Sequence, residues 1–228
     1  FSSEGRRIAT SSGQQSATIW DAFTGKELVT LVGHSNWVQC GIFSPDGKRI
    51  ATACGDRSAN STGHPTVKIW DTISGRELLT IQHDKLDGST TSVLAFSPDG
   101  QRIAGAGNHR TPRIWDASTG RELIALGGHT ATVQCIAFSP DGKRIVTSSH
   151  DRTAKVWDAF TGRELLTLEG HTTRRVTTAL FFPDGRSIAT TGLDGLIKIW
   201  EAASPEQVAA WRKEEQTAEA RLARLPRE

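Results

Sequence analysis

Residues 129–168 read HTATVQCIAFSPDGKRIVTSSHDRTAKVWDAFTGRELLTL, and this stretch decides the fold. Val133–Phe138 is rich in β-branched and aromatic residues, which predicts a strand. Pro140-Asp141-Gly142 closes a tight turn, with Pro fixing φ and Gly supplying a positive φ. Arg144–Ser148 is a second strand. His150-Asp151-Arg152 turns into a third, Thr153–Trp157, and Thr161-Gly162 turns into a fourth, Glu164–Leu168. Short strands joined by tight turns pair antiparallel, so the stretch is one four-stranded sheet.

The unit recurs. Trp20, Trp70, Trp115, Trp157 and Trp200 are spaced by 50, 45, 42 and 43 residues. The first four precede Asp21, Asp71, Asp116 and Asp158, and the fifth precedes Glu201. A turn marker stands before each Trp after the first: Ser44-Pro45-Asp46-Gly47, Ser97-Pro98-Asp99-Gly100, Ser139-Pro140-Asp141-Gly142 and Phe182-Pro183-Asp184-Gly185. Phe1-Ser2-Ser3-Glu4-Gly5 is a degenerate first copy. A third marker is Gly33-His34, Gly128-His129 and Gly170-His171, with Gln82-His83 a weaker version. Four strands per period of this length predict the blades of an all-β propeller.

On these markers residues 1–201 resemble the WD-repeat β-propeller family. The units fall at about 1–32, 33–81, 82–126, 127–168 and 169–201. The first lacks its first strand, leaving strands around Ile8, Ile19 and Leu28. The last lacks its fourth, leaving strands around Val176, Ile188 and Ile197. Rings of this family usually close by sharing one blade between the two chain ends, and these two deficits do not complement each other. The chain starts at Phe1 and has no Met, so a C-terminal fragment of a longer protein with further blades is expected. A polar insertion, Arg57–His64, reads as a surface loop.

Residues 202–228 change character. Ser204-Pro205-Glu206-Gln207 is a helix start. Val208, Trp211, Ala218, Leu222 and Leu225 then mark one apolar side of a helix. The stripe either packs on the last unit or leads to a partner or another copy. Such a tail is similar to the ends of propellers in large bacterial multidomain proteins, some carrying a Ser/Thr kinase domain. The expectation is therefore a bacterial-type chain.

The 228 residues carry a net charge of +2, which argues against a basic nucleic-acid binder. No apolar run reaches about 18 residues, so no membrane-spanning helix is expected. Three cysteines are too few for a disulfide scaffold. Cys40 and Cys135 occupy the same place in equivalent strands, a core position. A cytoplasmic protein without cofactor or metal is expected.

His129, Thr147, Asp151 and Trp157 form a set, and so do His171, Thr190, Asp194 and Trp200. His34, Thr52, Asp56 and Trp70 are a third, with the insertion inside it. A hydroxyl, an imidazole and a carboxylate suggest a nucleophilic triad. Repetition argues against that, because an enzyme has no use for several copies. The family resemblance implies instead a buried hydrogen-bond network tying each blade together. Gly105 and His109 replace the hydroxyl and the acid in the third unit, and Gln14 stands at the acid position in the first. Both units are expected to be locally weaker.

The resemblance implies a non-catalytic scaffold for protein or peptide partners. Contact positions carried over from the family are Ser35, Trp37, Thr90, Ser92, Asn108, Thr130, Thr132, His150, Arg175 and Leu193. Trp37 leads, because Ser92, Thr132 and Arg175 are read as its counterparts and are polar. The alternative is the docking part of a signalling kinase. Association between copies, through open blade edges or the tail, is a further expectation.

Overall fold

The computed structural model describes residues 1–11, 15–55, 66–82, 91–172 and 175–202. They form eighteen strands in five antiparallel sheets. The first sheet holds β1 (Arg7–Ser11), β2 (Ser16–Asp21) and β3 (Glu27–Val32). The second holds β4 (Val38–Phe43), β5 (Arg49–Cys54), β6 (Thr66–Asp71) and β7 (Glu77–Gln82). The third holds β8 (Thr91–Phe96), β9 (Arg102–Gly107), β10 (Arg113–Asp116) and β11 (Glu122–Ala125). The fourth holds β12 (Val133–Phe138), β13 (Arg144–Ser149), β14 (Thr153–Asp158) and β15 (Glu164–Glu169). The last holds β16 (Val176–Phe181), β17 (Ser187–Gly192) and β18 (Ile197–Glu201). The strands missing from the first and last sheets are those the sequence lacks. The expected tail helix and the Arg57–His64 loop lie outside the described residues. No strand pairing joins the first and last sheets among the described residues.

The repeated markers have separable local jobs. In the Ser-Pro-Asp-Gly turn, the Ser44 hydroxyl donates to Asp46 (2.6 Å) and accepts the Arg49 amide (2.9 Å). Gly47 adopts φ 68°, a left-handed conformation that a Cβ disfavours. The Asp after each Trp shapes the next turn. Asp158 Oδ1 accepts the amides of Phe160 (3.0 Å) and Thr161 (2.8 Å) and the Thr161 hydroxyl (2.9 Å). These bonds hold the Asp158 carboxyl below its ordinary pKa, those from the Thr161 and Phe160 amides most of all.

Successive sheets stack face on face through alternating strand positions. Between the third and fourth sheets, Ala95, Ala104, Ala106 and Ile114 meet Val133, Ile136, Ile145 and Trp157, all buried. The same pairing of a small or aliphatic face with a Trp-bearing face builds the other junctions.

One Arg per junction spans it. Arg7, Arg49, Arg102 and Arg144 donate to the turn carbonyls of Gly47 (2.9 Å), Gly100 (2.6 Å), Gly142 (2.7 Å) and Gly185 (2.7 Å) in the following sheet. Each guanidinium also lies 5.3–5.7 Å from the ring centre of Phe43, Phe96, Phe138 or Phe181. The last sheet has Ser187 at this place. Among the described residues no sheet covers its aliphatic face: Ile197 is 71% exposed and Ile199 50%.

Candidate functional site

Two sets of residues compete for the role of site. The first is the Trp–Thr–His–Asp set, carried on β13, β14 and the loops at their ends. The Trp157 indole N–H donates to Thr147 Oγ1 (2.8 Å), which lies 2.7 Å from His129 Nε2. His129 Nδ1 lies 2.7 Å from Asp151 Oδ2. A carboxylate only accepts, so Nδ1 carries a proton. In the last sheet Trp200, Thr190, His171 and Asp194 repeat this with distances of 2.8, 2.9 and 2.9 Å. Burial alone would raise the Asp151 carboxyl. The bonds from His129, Thr153 and the Thr130 amide outweigh it and hold the group far below its ordinary pKa. Both His129 ring nitrogens are engaged and Thr147 is fully buried. No nucleophile faces solvent here, and the set ties the incoming loop to its own sheet.

The second sheet varies this arrangement. Trp70 donates to Thr52 (2.7 Å), which lies 2.6 Å from His34 Nε2. His34 Nδ1 faces Thr66 Oγ1 at 3.2 Å, and Asp56 lies outside the described residues. Burial, with Lys68 nearby, pushes His34 down to about 4, so it is neutral at pH 7. In the third sheet a Cβ at Gly105 would sit 2.8 Å from Trp115 Cζ3, so the missing hydroxyl makes room for the indole. Gln14 is also outside the described residues, while Trp20 still donates to Thr10 at 2.8 Å.

The second set lies where the loops before β4, β12 and β16 meet the turns between the middle strands of each sheet. Trp37 is 55% exposed and lines a groove of about 600 Å³ with Gln15, Ser16, Val32, Gly33, His34 and Ser35. Gln15 Nε2 reaches the Ser35 carbonyl at 3.3 Å. A separate group gathers at the last two sheets. The His150 amide donates to Thr132 O (2.9 Å) and the Leu193 amide to Arg175 O (3.1 Å). Burial first, then the Arg175 charge, lowers the His150 pKa. Asn108 and Thr130 are exposed singly.

Two of the expected contact residues need comment. Thr90 lies outside the described residues. Ser92 is corrected: Phe43 and Phe96 end β4 and β8 at the same place, so Ser92 falls inside β8 opposite Gln39, and Thr90 is the counterpart of Trp37. Val32 was not singled out by sequence, although its equivalents Gln82 and Glu169 are polar, which is the same signal that marks Trp37.

The three cysteines are free thiols. Burial raises Cys40 to about 12, and Cys135 donates to Ala179 O at 3.5 Å across a sheet junction. Among the described residues no cluster of His, Cys, Asp and Glu could hold a metal ion, and no helix is long and apolar enough to cross a membrane.

A family model described as "WD domain, G-beta repeat" matches residues 25–60, 77–116, 120–158 and 162–201. Ribosome assembly protein 4 of Saccharomyces cerevisiae is 50% identical over 46 residues, 20% of this chain and 9% of that protein. The nuclear distribution protein PAC1 of Mycosarcoma maydis is 46% identical over 46 residues, 20% of this chain and 10% of that protein. Ribosome assembly protein 4 of Chaetomium thermophilum is 50% identical over 42 residues, 18% of this chain and 8% of that protein. The matches thus span about a tenth of these relatives' length. All three are fungal, and nothing in them supports a bacterial-type chain, a fragment or a kinase. With more than half of its length matched, and with each described sheet carrying the repeat's turn and Trp, this chain belongs to the WD domain, G-beta repeat family.

Proposed function

We propose that the chain is a non-catalytic scaffold that docks a protein or peptide partner at the Trp37 groove. One observation carries this reading. Trp37 and Val32 are 55% and 72% exposed and line one groove; Trp37 stands where other repeats carry Thr90, Thr132 and Arg175, and Val32 where they carry Gln82, Gly127 and Glu169. Core packing therefore does not account for them. A large, rigid, half-exposed indole beside an aliphatic side chain is the composition of an interface anchor. Polar groups for orientation are at hand in Gln15, Ser16 and Ser35. Family membership supports the scaffold class. The fungal relatives are named for ribosome assembly and nuclear distribution, which favours assembly work over the docking part of a kinase.

The test is selection of peptides from a displayed random library against the whole chain. Selected peptides should lose tenfold or more in affinity on Trp37→Ala, and less on Val32→Gln, with the melting temperature within a degree or two. Peptides indifferent to both changes, or a Trp37→Ala chain that melts far lower, would remove the groove from the proposal.

A further inference from the structure

The two tight turns of each sheet lie side by side at one end of the strands. The amides of Ala22, Thr72, Ala117 and Ala159 donate to the carbonyls of Arg6, Lys48, Gln101 and Lys143 at 2.8–3.0 Å. Each bond brings the residue after the donor close to the residue that carries the acceptor. The resulting pairs are Arg6 with Phe23, Lys48 with Ile73, Gln101 with Ser118 and Lys143 with Phe160. Phe23, Ile73 and Phe160 are 81%, 84% and 63% exposed. Phe160 rests one face of its ring on Arg102, at 4.3 Å, and leaves the rest to solvent. The turn does not require an apolar residue at its tip. Ser118 fills the same place, and Asp116 holds the amide after it as Asp21, Asp71 and Asp158 hold theirs.

The apolar tip and the cation come and go together. Where the tip is apolar its neighbour is Arg or Lys, and where the tip is Ser118 its neighbour is the neutral Gln101. Arg6, Lys48 and Lys143 are exposed, and their side chains make no ion pair or hydrogen bond among the described residues. The turn acids are engaged inside their turns. Asp46 accepts the Ser44 hydroxyl and the Lys48 amide, and Asp71 the amides of Ile73 and Ser74. The turns of the second sheet hold Asp46 and Asp71 against Lys48, Arg49 and Arg76, one positive charge in excess. Those of the first and fourth sheets carry the same excess, and those of the third are neutral. Arg7 joins the first two sheets at this end through the Gly47 carbonyl, so Phe23 and Ile73 stand on neighbouring turns of one face.

We infer that this end of the strands docks on an anionic lipid surface. Phe23, Ile73 and Phe160 enter the interface, and Arg6, Lys48 and Lys143 meet the lipid phosphates. A group that is apolar and a group that is cationic, lost together in one repeat, fit a ligand that is both apolar and anionic. Side chains on convex turn tips offer a peptide no groove to lie in, whereas a bilayer accepts them directly. Burial of the tips and attraction of the cations to anionic headgroups then add. The Trp37 loop lies at the other end of β4 from the Ser44–Gly47 turn, so a chain docked in this way keeps its groove open to a partner. The two sites rest on different residues, and each stands or falls alone.

The probe is a pair of sedimentable vesicle preparations, phosphatidylcholine alone and phosphatidylcholine with about half of it replaced by phosphatidylserine. The whole chain should sediment with the mixed vesicles and stay in solution with the neutral ones, and added salt should release it. Phe23→Ser with Ile73→Ser should weaken binding to the mixed vesicles about tenfold or more, and so should Arg6→Gln with Lys48→Gln. Ser118 and Gln101 already occupy these places in the third sheet, so the melting temperature should be unchanged in both variants. Inorganic phosphate should release the chain no better than chloride at the same ionic strength. Better release by phosphate would make this a site for the free anion and overturn the inference. Failure to sediment with the mixed vesicles, equal sedimentation with both preparations, or binding that neither pair of changes weakens overturns it too. So does an acidic aromatic peptide that binds through these residues while vesicles do not, which would assign the face to a protein.

Discussion

The fourth and fifth sheets carry the same four-residue network, yet their surroundings differ. Trp157 and Trp200 donate to their threonines at the same 2.8 Å. Trp157 is nonetheless fully buried while Trp200 is half-buried, and Val156 is 5% exposed against 50% for the equivalent Ile199. The hydrogen-bond geometry belongs to a single sheet and is the same in the three-stranded last sheet of the described residues. The burial belongs to the neighbours. The two contributions can therefore be separated by substitution.

The largest expected effect comes from the indoles. Trp157→Ala empties a fully buried site and should cost about 3–5 kcal/mol in equilibrium urea unfolding. Trp200→Ala should cost clearly less, and equal losses would show that neighbours contribute little. The second sheet sharpens the contrast with acid. His34 faces Thr66 rather than a carboxylate, and its pKa sits at about 4 against an ordinary 6.5. The folded state thus resists protonation that the unfolded chain accepts. The stability that neutral His34 contributes is present above pH 6.5 and is lost as pH falls from there toward 4. The whole loss is about 3 kcal/mol. The Asp151 carboxyl is depressed instead, so its contribution holds until pH falls below the ordinary carboxylate range, about 3.9. Unfolding followed from pH 7 to 3 should show these two windows in that order, and His34→Gln should erase the first.

Asp151→Asn and Asp194→Asn come next, with Asp151→Asn expected to cost about 1–3 kcal/mol. Because the network is internal to a sheet, the two losses should match within experimental error in parallel melts. The smallest effect is at Ser148, whose fully buried hydroxyl has no hydrogen-bond partner among the described residues. Ala53 and Ala106 hold the equivalent place. Ser148→Ala should be neutral or stabilise by up to about 1 kcal/mol, measured as the urea midpoint.

Most of the strand plan was legible because its markers do local work. Pro and Gly in the turn, and the Asp after each Trp, act within a few residues of themselves, so their spacing alone reveals the sheet. The contacts between sheets were harder to see. Arg49, Arg102 and Arg144 look like ordinary basic residues after a turn. Their reach into the next sheet joins positions 40–51 residues apart. Their recurrence before Ile50, Ile103 and Ile145, broken by Ser187, was the available signal. The network residues were readable as sets, although Gly105 looked like a loss when it is an accommodation of the Trp115 ring. Half of the candidate groove escaped notice. Trp37 stands out as an aromatic among polar counterparts, but Val32 follows a strand of similar apolar residues, and it is marked only by comparison with Gln82 and Glu169 and by its 72% exposure.

The Arg links also run in one direction. Each donor belongs to an earlier sheet and each acceptor carbonyl to the turn of the next, from Arg7 to Gly47 through Arg144 to Gly185. During synthesis a sheet can pair its own strands as it emerges, but its guanidinium finds its carbonyl only after some forty more residues have been added. Assembly from the ribosome is thereby vectorial, with every new turn fastening the sheet before it.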